Sequence, residues 1–340
     1  MASQHTVTYR VASSARRLLP PVLAVVVLTV AVGGVVYQAF GAGFGSSGDV
    51  PAFILITLSA LSLASLYFIT ASGFTLIFGL MRITNLAHGS LFLLGGYVAL
   101  HAVASGLTWW LGVVLAMVGC GAVGLVMHQL FLRWNQGQDL RQALITIAVG
   151  IIVNDQLLAY FGAAPETIPP PPLLAESLDL GVYQLSYPMF RVFLIGAAGA
   201  VGLLFWLAIK WTRLGMVVRA GVDDTAMASA LGINTKLVFA GAFMVGAALA
   251  GLGGAFAGTA LSLAPGQDQA FLVSSLVVVI IGGMGSLGGA AVGALLLGLV
   301  DQYASAYLPA GYSNLSILLT FVLLAVVLAV KPTGLFGRAR

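Results

Sequence analysis

The sequence predicts an all-α polytopic membrane protein, and its composition and the spacing of its charges carry that prediction. Of the 340 residues, 60% are hydrophobic even before the 43 glycines are counted, and only 7% are charged. Soluble domains contain about 45–50% apolar residues with glycine included, and about 25% charged residues. The composition therefore excludes a soluble globular enzyme, a disordered chain and a coiled coil.

The charged residues are separated by runs that are long enough to cross a membrane. None occurs within residues 18–48, 50–81 or 83–132, and similar gaps follow in the second half of the chain. One spanning helix needs about 20 apolar residues, whereas the strands of a membrane barrel are alternating segments of about ten. Because the runs here are continuous, they predict helices.

The apolar runs predict about eight full transmembrane helices plus a glycine-rich broken or re-entrant pair. Residues 1–50 form a polar head and an extra span, a pattern that a signal peptide would also show. The prolines at 169–172 predict a stiff, extended connector because such a run cannot be helical. Glycines divide the segment 271–300 into two shorter helices, and a polar turn is predicted at 301–314. The full spans are predicted at 19–40, 53–80, 91–104, 109–132, 143–161, 188–211, 237–263 and 315–330.

The positive charges predict the orientation of these spans. With the N-terminus in the cytoplasm, 13 of the 14 lysines and arginines fall on the cytoplasmic side, and only Arg191 falls outside. This distribution follows the positive-inside rule. It predicts a multi-pass protein with both termini in the cytoplasm, and it assigns the net charge of +4 to membrane topology rather than to nucleic-acid binding.

The polar stretch 212–236 predicts a short helix outside the bilayer. Asp223 or Asp224 suits its N-cap, and Gly232 stands where a left-handed residue ends many helices. A helix of about two turns is marginal alone, so its apolar side chains predict docking in a groove of a partner, with an ordinary connecting loop as the alternative. The residues singled out in this stretch are Asp223, Asp224, Ala226, Met227, Leu231 and Gly232.

Polar residues interrupt apolar sequence at the start of the third predicted span. Asn85 suits a helix cap, and Gly89 permits close approach of another backbone. A helix start with close packing is one interpretation, and the other is that Asn85 and His88 face a translocation path. No metal site is predicted, because the remaining histidines are not at a ligand spacing.

Two further features are candidates for a translocation path or a hinge. Asp155 lies inside the fifth predicted span, where an acid is a functional candidate, and a structural pair with Arg191 is the alternative. Gly282, Gly283 and Gly285 lie where the glycine-rich segment is expected to break, and broken backbone at membrane depth occurs only beside protein or a water-filled cavity.

The chain shows no nucleotide-binding or catalytic motif. No glycine-rich stretch ends in Gly-Lys-Ser or Gly-Lys-Thr, the form of a phosphate-binding loop. No nucleophile and base are paired by their positions in the predicted spans. We therefore predict that the chain is not itself an enzyme.

Three motifs carry a resemblance to a known family. Residues 83–97, Ile-Thr-Asn-Leu-Ala-His-Gly-Ser-Leu-Phe-Leu-Leu-Gly-Gly-Tyr, resemble a signature of the membrane permeases of branched-chain amino-acid (LIV-type) ABC importers. Residues 212–233 look like the cytoplasmic loop of that family, and residues 278–290 look like its glycine-rich late segment. The matches keep the family's order and cover about 53–340. The form Asn-Leu-Ala-His-Gly is similar to the LivH-like subunit, although Leu86 and Ser90 replace the family's common phenylalanine and acidic residue.

The resemblance implies an assembly around this chain. Residues 51–340 would be the permease transmembrane domain of a bacterial inner-membrane importer, and the helix at 223–232 would be the coupling helix that docks on an ATPase. The implied partners are ABC ATPase subunits, a second, paralogous (LivM-like) permease, a periplasmic substrate-binding protein and membrane lipid. ATP and magnesium would bind at the partner ATPase, with no cofactor on this chain.

Two other functions remain open from the sequence. An ion-coupled secondary transporter would use Asp155 for protons or sodium. A passive channel for urea or an amide would need no coupling helix. Close relatives of the family carry urea, short amides or other amino acids, so the sequence leaves the exact substrate open.

Overall fold

The computed structural model describes residues 50–81, 84–135, 137–181, 185–212, 215–216, 232, 234–308 and 316–337. The first predicted span and its polar head therefore lie outside the described residues. The described α-helices are α1 (Val50–Met81), α2 (His88–Ala104), α3 (Trp109–Met127), α4 (Asp139–Phe161), α5 (Met189–Trp211), α6 (Thr235–Ala260), α7 (Gln267–Gly282), α8 (Leu287–Tyr307) and α9 (Ser316–Val330).

These elements confirm an all-α polytopic architecture, but eight full spans are not confirmed. Six stretches are long and apolar enough to cross a membrane: α1, α3 with its continuation to Asn135, α4, α5, α6 and α8. Helices α2, α7 and α9 are apolar but shorter than a full span. The predicted span 91–104 is shorter than a full crossing of the membrane. The helix starts at His88, which lengthens it by less than one turn.

Helix α6 lies at the centre of the bundle, where glycines let other helices approach its backbone. A Cβ built on Gly254 would stand 1.8 Å from the carbonyl oxygen of Phe92 in α2. A Cβ on Gly73 of α1 would stand 2.4 Å from the carbonyl oxygen of Gly246. Small residues produce such contacts in membranes, where lipid leaves little hydrophobic force between helices and close packing drives their association.

The glycine-rich segment breaks into a helical hairpin, as its sequence predicts. Helix α7 ends at Gly282, and α8 begins at Leu287, capped by Ser286. The two helices run antiparallel and touch backbone to backbone, since a Cβ on Gly289 would stand 2.1 Å from the carbonyl oxygen of Gly282. Helix α8 then packs along α1, and the hairpin becomes part of the core.

The polar turn predicted at 301–314 begins later than expected. Helix α8 continues to Tyr307 and includes Asp301, whose Oδ2 accepts a hydrogen bond of 2.8 Å from the hydroxyl of Tyr67 in α1. The Tyr67 hydroxyl supplies a hydrogen-bond donor to the Asp301 carboxylate. Asp301 can therefore lie within a helix, although the sequence predicts a turn at this residue.

The proline-rich connector joins α4 to α5 and contains a small antiparallel sheet. Strand β1 (Ser177–Asp179) pairs with β2 (Ser186–Pro188). Glu166 also forms an isolated bridge with Leu263, which follows α6. These contacts place the connector over one end of the bundle, which we call the connector end. The glycine turn between α7 and α8 lies at the opposite end.

Candidate functional site

The N-termini of α2 and α7 meet inside the protein. A Cβ built on Gly89 would stand 2.0 Å from the carbonyl oxygen of Asp268 and 2.9 Å from the Cβ of Leu272. Neither helix has a side-chain hydrogen bond at its N-cap, which is Ala87 in α2 and Gly266 in α7. We call this contact, formed by residues 85–89 and 266–272, the α2–α7 junction. Gly89 is glycine because the two backbones touch there.

Residues 84–87 bring the chain back into the bundle before α2 begins. Nε2 of His88 lies 2.9 Å from the carbonyl oxygen of Thr70, well inside α1, although α1 continues to Met81. Asn85 is fully buried and folds back on its own backbone, accepting a hydrogen bond of 3.1 Å from the amide of Ala87. The side chains of Asn85 and His88 are therefore buried within the helix bundle.

Several buried polar atoms at the junction have no protein partner. Because a carbonyl can only accept, Nε2 of His88 carries the hydrogen, which leaves Nδ1 as an acceptor in the neutral ring. Among the residues that the structure describes, His88 Nδ1, Asn85 Nδ2 and Asp268 Oδ1 are buried without a hydrogen-bond partner. Each unmet group in a dry interior destabilises the packed arrangement. The junction is thus both tightly packed and polar.

Asp268 belongs to this junction, although nothing in its local sequence marks it as a site residue. Its side chain is 5% exposed and lies in the first turn of α7. A carboxylate is favourable there because the free amides at a helix N-terminus carry a partial positive charge. The sequence signal for an element boundary at this position is the turn dipeptide Pro265-Gly266 just before the helix.

The glycines of the α7–α8 turn are held by the C-terminal segment. The amides of Leu335 and Phe336 donate to the carbonyl oxygens of Ile281 and Gly282, at 2.8 and 2.9 Å. Gly283 has φ of 98°, and a Cβ there would stand 2.4 Å from the amide nitrogen of Gly337. Residues 334–337 therefore clasp the turn, and we call this contact the C-terminal clasp.

The same turn also touches the end of α1. Gly285 has φ of 83°, and a Cβ on Gly79 would stand 3.0 Å from its Cα. Gly282, Gly283 and Gly285 thus lie where α1, the helical hairpin and the C-terminal clasp meet. The structure brings these three predicted residues together, but it keeps them at the end of the bundle away from the connector.

Asp155 is separate from both of these groups. It lies on α4, and its side chain is exposed on the outside of the protomer. The suggested pair with Arg191 is absent from the described part of the chain, where Arg191 Nη1 instead donates to the Ser59 hydroxyl at 3.3 Å. The opposite side of α4 is buried against α2, through a hydrogen bond of 3.0 Å from Ser90 Oγ to the Gly150 carbonyl oxygen.

An apolar cavity of about 440 Å³ opens between α2, α3 and α4 near the connector end. Its walls include Tyr97, Leu115, Leu157 and Phe161, and Tyr97 and Phe161 stack with centroids 4.4 Å apart. None of its lining residues is an acid, a lysine or an arginine. The cavity therefore suits mainly apolar groups, with His101 and Ser105 among its polar lining residues.

Most of the predicted coupling helix lies outside the described residues. Asp223, Asp224, Ala226, Met227 and Leu231 belong to the undescribed stretch 217–231. Gly232 is described, and its φ of 83° is in the left-handed region. Their role stays a prediction.

Comparison with known proteins points to transport. The family described as "Branched-chain amino acid transport system / permease component" matches residues 56–328. The high-affinity branched-chain amino acid transport system permease protein LivH of Escherichia coli K12 is 29% identical over 84% of this chain and 96% of its own. The corresponding permease BraD of Pseudomonas aeruginosa is 28% identical over 83% and 94%. A probable LivH of Methanocaldococcus jannaschii is 22% identical over 83% and 92%.

Proposed function

Because the chain belongs to the family of branched-chain amino acid transport permeases, we propose that it carries branched-chain or other hydrophobic amino acids into the cell. It is a permease subunit of an ABC importer and not an enzyme, and the ATPase is a separate subunit. The observation that carries the proposal is the family match across nearly all of the described bundle. Relatives named as branched-chain amino acid permeases, aligned over more than nine-tenths of their own length, support this substrate class.

In the proposed cycle the membrane domain has two states, open to opposite sides. ATP and a docked substrate-binding protein shift the equilibrium between them, and each can do so only to the extent that it binds one state better. The helix predicted at 223–232 would sit in a groove of the ATPase and transmit its closure to α5 and α6, which flank the loop. A second, LivM-like permease would complete the membrane domain, with both termini of this chain in the cytoplasm of a bacterial cell.

Affinity purification in mild detergent from the native host, followed by mass spectrometry, tests this assembly. We expect an ATPase with a phosphate-binding loop and a second permease to co-purify. Changing Asp224→Ala together with Leu231→Ala should release the ATPase without releasing the second permease. A chain that purifies alone, and that moves solute across vesicles without ATP, would instead be a channel or an ion-coupled carrier.

A further inference from the structure

Among the spans that the structure describes, α4 and α5 are the least buried, and they expose different chemistry. In their most apolar windows only 17% of the residues of α4 and 11% of those of α5 are buried, against 61% for α6. The exposed side chains along the middle of α5 are hydrophobic, among them Leu203, Leu204 and Trp206. That face suits lipid. Helix α4 exposes Asp155 and Gln156 between isoleucines and leucines.

An exposed carboxylate on α4 does not suit lipid. Asp155 lies six residues before the end of α4 at Phe161, which is about 9 Å along the helix axis at 1.5 Å per residue. A charged side chain facing hydrocarbon costs on the order of 2.5–3.5 kcal/mol at the middle of a span, and such residues normally face water or protein. The face of α4 that carries Asp155 is therefore covered by something other than lipid.

The residues next to Asp155 indicate what passes over this face. Ile151 and Ile152 lie one turn before Asp155 on α4, on the side of Asp155 that is farther from the connector end. They are 63% and 61% exposed. Side chains three and four positions apart share a helix face, so these isoleucines flank Asp155. One helical turn is about 5.4 Å, which is on the order of the distance from the amino group to the end of the side chain in a branched-chain amino acid.

We propose that the outward face of α4 lines the aqueous route of the solute, where Asp155 binds the ammonium group of an amino acid while Ile151 and Ile152 contact its apolar side chain. This inference rests on the proposed function and names the residues that would meet the substrate. No cation of the described chain occupies Asp155, so its carboxylate is free to pair with a positively charged group. An ammonium group supplies that charge, and a neutral solute such as urea does not.

Thiol labelling tests whether water reaches Asp155 in the assembled importer. The only cysteine of the chain, Cys120, is fully buried and gives little background. In complexes reconstituted in vesicles, Asp155→Cys should react with a membrane-impermeant thiol reagent. The matched control Leu204→Cys lies on the lipid-facing helix α5, is also exposed in the protomer (67%), and should not react. An unreactive Asp155→Cys in an assembled complex would mean a dry protein interface and would overturn the proposal.

Transport measurements test the charge. With the binding protein saturating, Asp155→Asn should lower leucine uptake per ATP hydrolysed about tenfold, while Asp155→Glu should stay within about threefold of the unchanged protein. Glu176→Gln, an equal loss of charge in the exposed connector, should have no effect. Unchanged uptake for Asp155→Asn contradicts the proposal, and so does loss of the second permease on purification, since Asp155 would then pair with a partner's cation.

These outcomes are distinct from failure of the proposed function itself. If the unchanged chain purifies without an ATPase, or takes up no amino acid with ATP, the importer assignment fails whatever Asp155 does. If the unchanged complex transports normally and only the predictions for Asp155 fail, the importer assignment stands and the route lies elsewhere.

Discussion

The backbone of Gly89, in the first turn of α2, lies against the carbonyl oxygen of Asp268, in the first turn of α7. A Cβ on Gly89 would stand 2.0 Å from that oxygen, nearer than two unbonded atoms can approach. Two helix N-termini are thus joined inside the bundle by backbone contact, although more than 170 residues separate them in sequence.

Substituting Gly89→Ala should destabilise the protein. The obstructing atoms belong to backbone, which cannot turn aside as a flexible side chain can, so α2 and α7 must move apart. Overpacking of this kind typically costs about 1–3 kcal/mol. Thermal unfolding of the purified chain in detergent should show a lower midpoint.

The control for this change is Gly196→Ala in α5, where a new Cβ meets no atom within 4 Å. An alanine in a helix without steric conflict is about 0.5–1 kcal/mol more favourable than glycine, so its midpoint should stay or rise. Equal midpoints for the two variants would show that the α2–α7 junction has room for a methyl group, which would contradict direct backbone contact at Gly89.

The crossing of α7 and α8 predicts a second contrast between glycines. Gly289→Ala would place a Cβ 2.1 Å from the carbonyl oxygen of Gly282, whereas Gly288→Ala, one residue earlier, meets nothing within 4 Å. We expect Gly289→Ala to reduce the yield of folded protein and its melting temperature, and Gly288→Ala to leave both unchanged. Size-exclusion chromatography and a melting curve of each variant measure the difference, and similar behaviour of the two would argue against an antiparallel hairpin in this register.

The hydrogen bond between Tyr67 and Asp301 predicts a cost for losing the hydroxyl. Tyr67→Phe keeps the ring against Phe271, with centroids 5.6 Å apart, but leaves Oδ2 of Asp301 without its donor. Hydrogen bonds to charged groups contribute about 1.5–3 kcal/mol. The free energy of unfolding should fall by that amount.

A neutral pair in the same two helices is the comparison. Tyr303→Phe removes a hydroxyl that lies 2.8 Å from Thr57 Oγ1, and a bond between neutral groups contributes about 0.5–1.5 kcal/mol. The loss for Tyr67→Phe should therefore be the larger one, and adding Asp301→Asn should recover part of it. The reverse order of the two losses would contradict a charged Asp301 at this position.

Removing residues 332–340 should loosen the glycine turn. The C-terminal clasp holds Ile281 and Gly282 through main-chain bonds from Leu335 and Phe336. Amide hydrogen exchange across 283–286 should become faster in the shortened chain, because local opening governs exchange.

Phe336→Ala is the matched control, because it removes a side chain that is 53% exposed but keeps the main-chain bond. Its exchange across 283–286 should stay close to that of the unchanged chain. If the shortened chain also exchanges at the original rate, the clasp does not hold the turn.

Individual elements of the fold show which structural features could be predicted from the sequence. The break in the helical hairpin was predicted from the glycines at 282, 283 and 285, which weaken a helix and allow the positive φ angles of the turn at Gly283 and Gly285. The connector was predicted to be extended from its prolines, but its short sheet was not, because the pairing of β1 with β2 is a contact that local composition does not show. The predicted polar turn at 301–314 began too early, because only α1 supplies the hydroxyl that lets Asp301 stay in a helix.

For the candidate site, the identity of several residues could be predicted from the sequence, but their contacts could not. Asn85, His88 and Gly89 were marked by polar residues and a glycine in apolar sequence, and Asp155 by its charge. Their surroundings were not predictable: the backbone of Asp268 meets Gly89 from a distant part of the chain, and Arg191 donates a hydrogen bond to Ser59 rather than pairing with Asp155. Asp268 was missed because an acid beside a loop looks like any solvent-facing residue until its burial is known.

The sequence by itself determined that this chain is a helical membrane protein, where most of its helices lie, where one of them breaks, and which family it resembles. These properties depend on local composition. Runs of apolar residues must be helical in lipid because the backbone has no other hydrogen-bond partner, and glycines and prolines change the backbone conformation at their own positions. Only the tertiary structure decided which helix ends meet, which polar atoms are buried without partners, and which face of α4 carries an exposed acid. Those properties depend on contacts between residues far apart in the chain, and local composition does not encode such contacts.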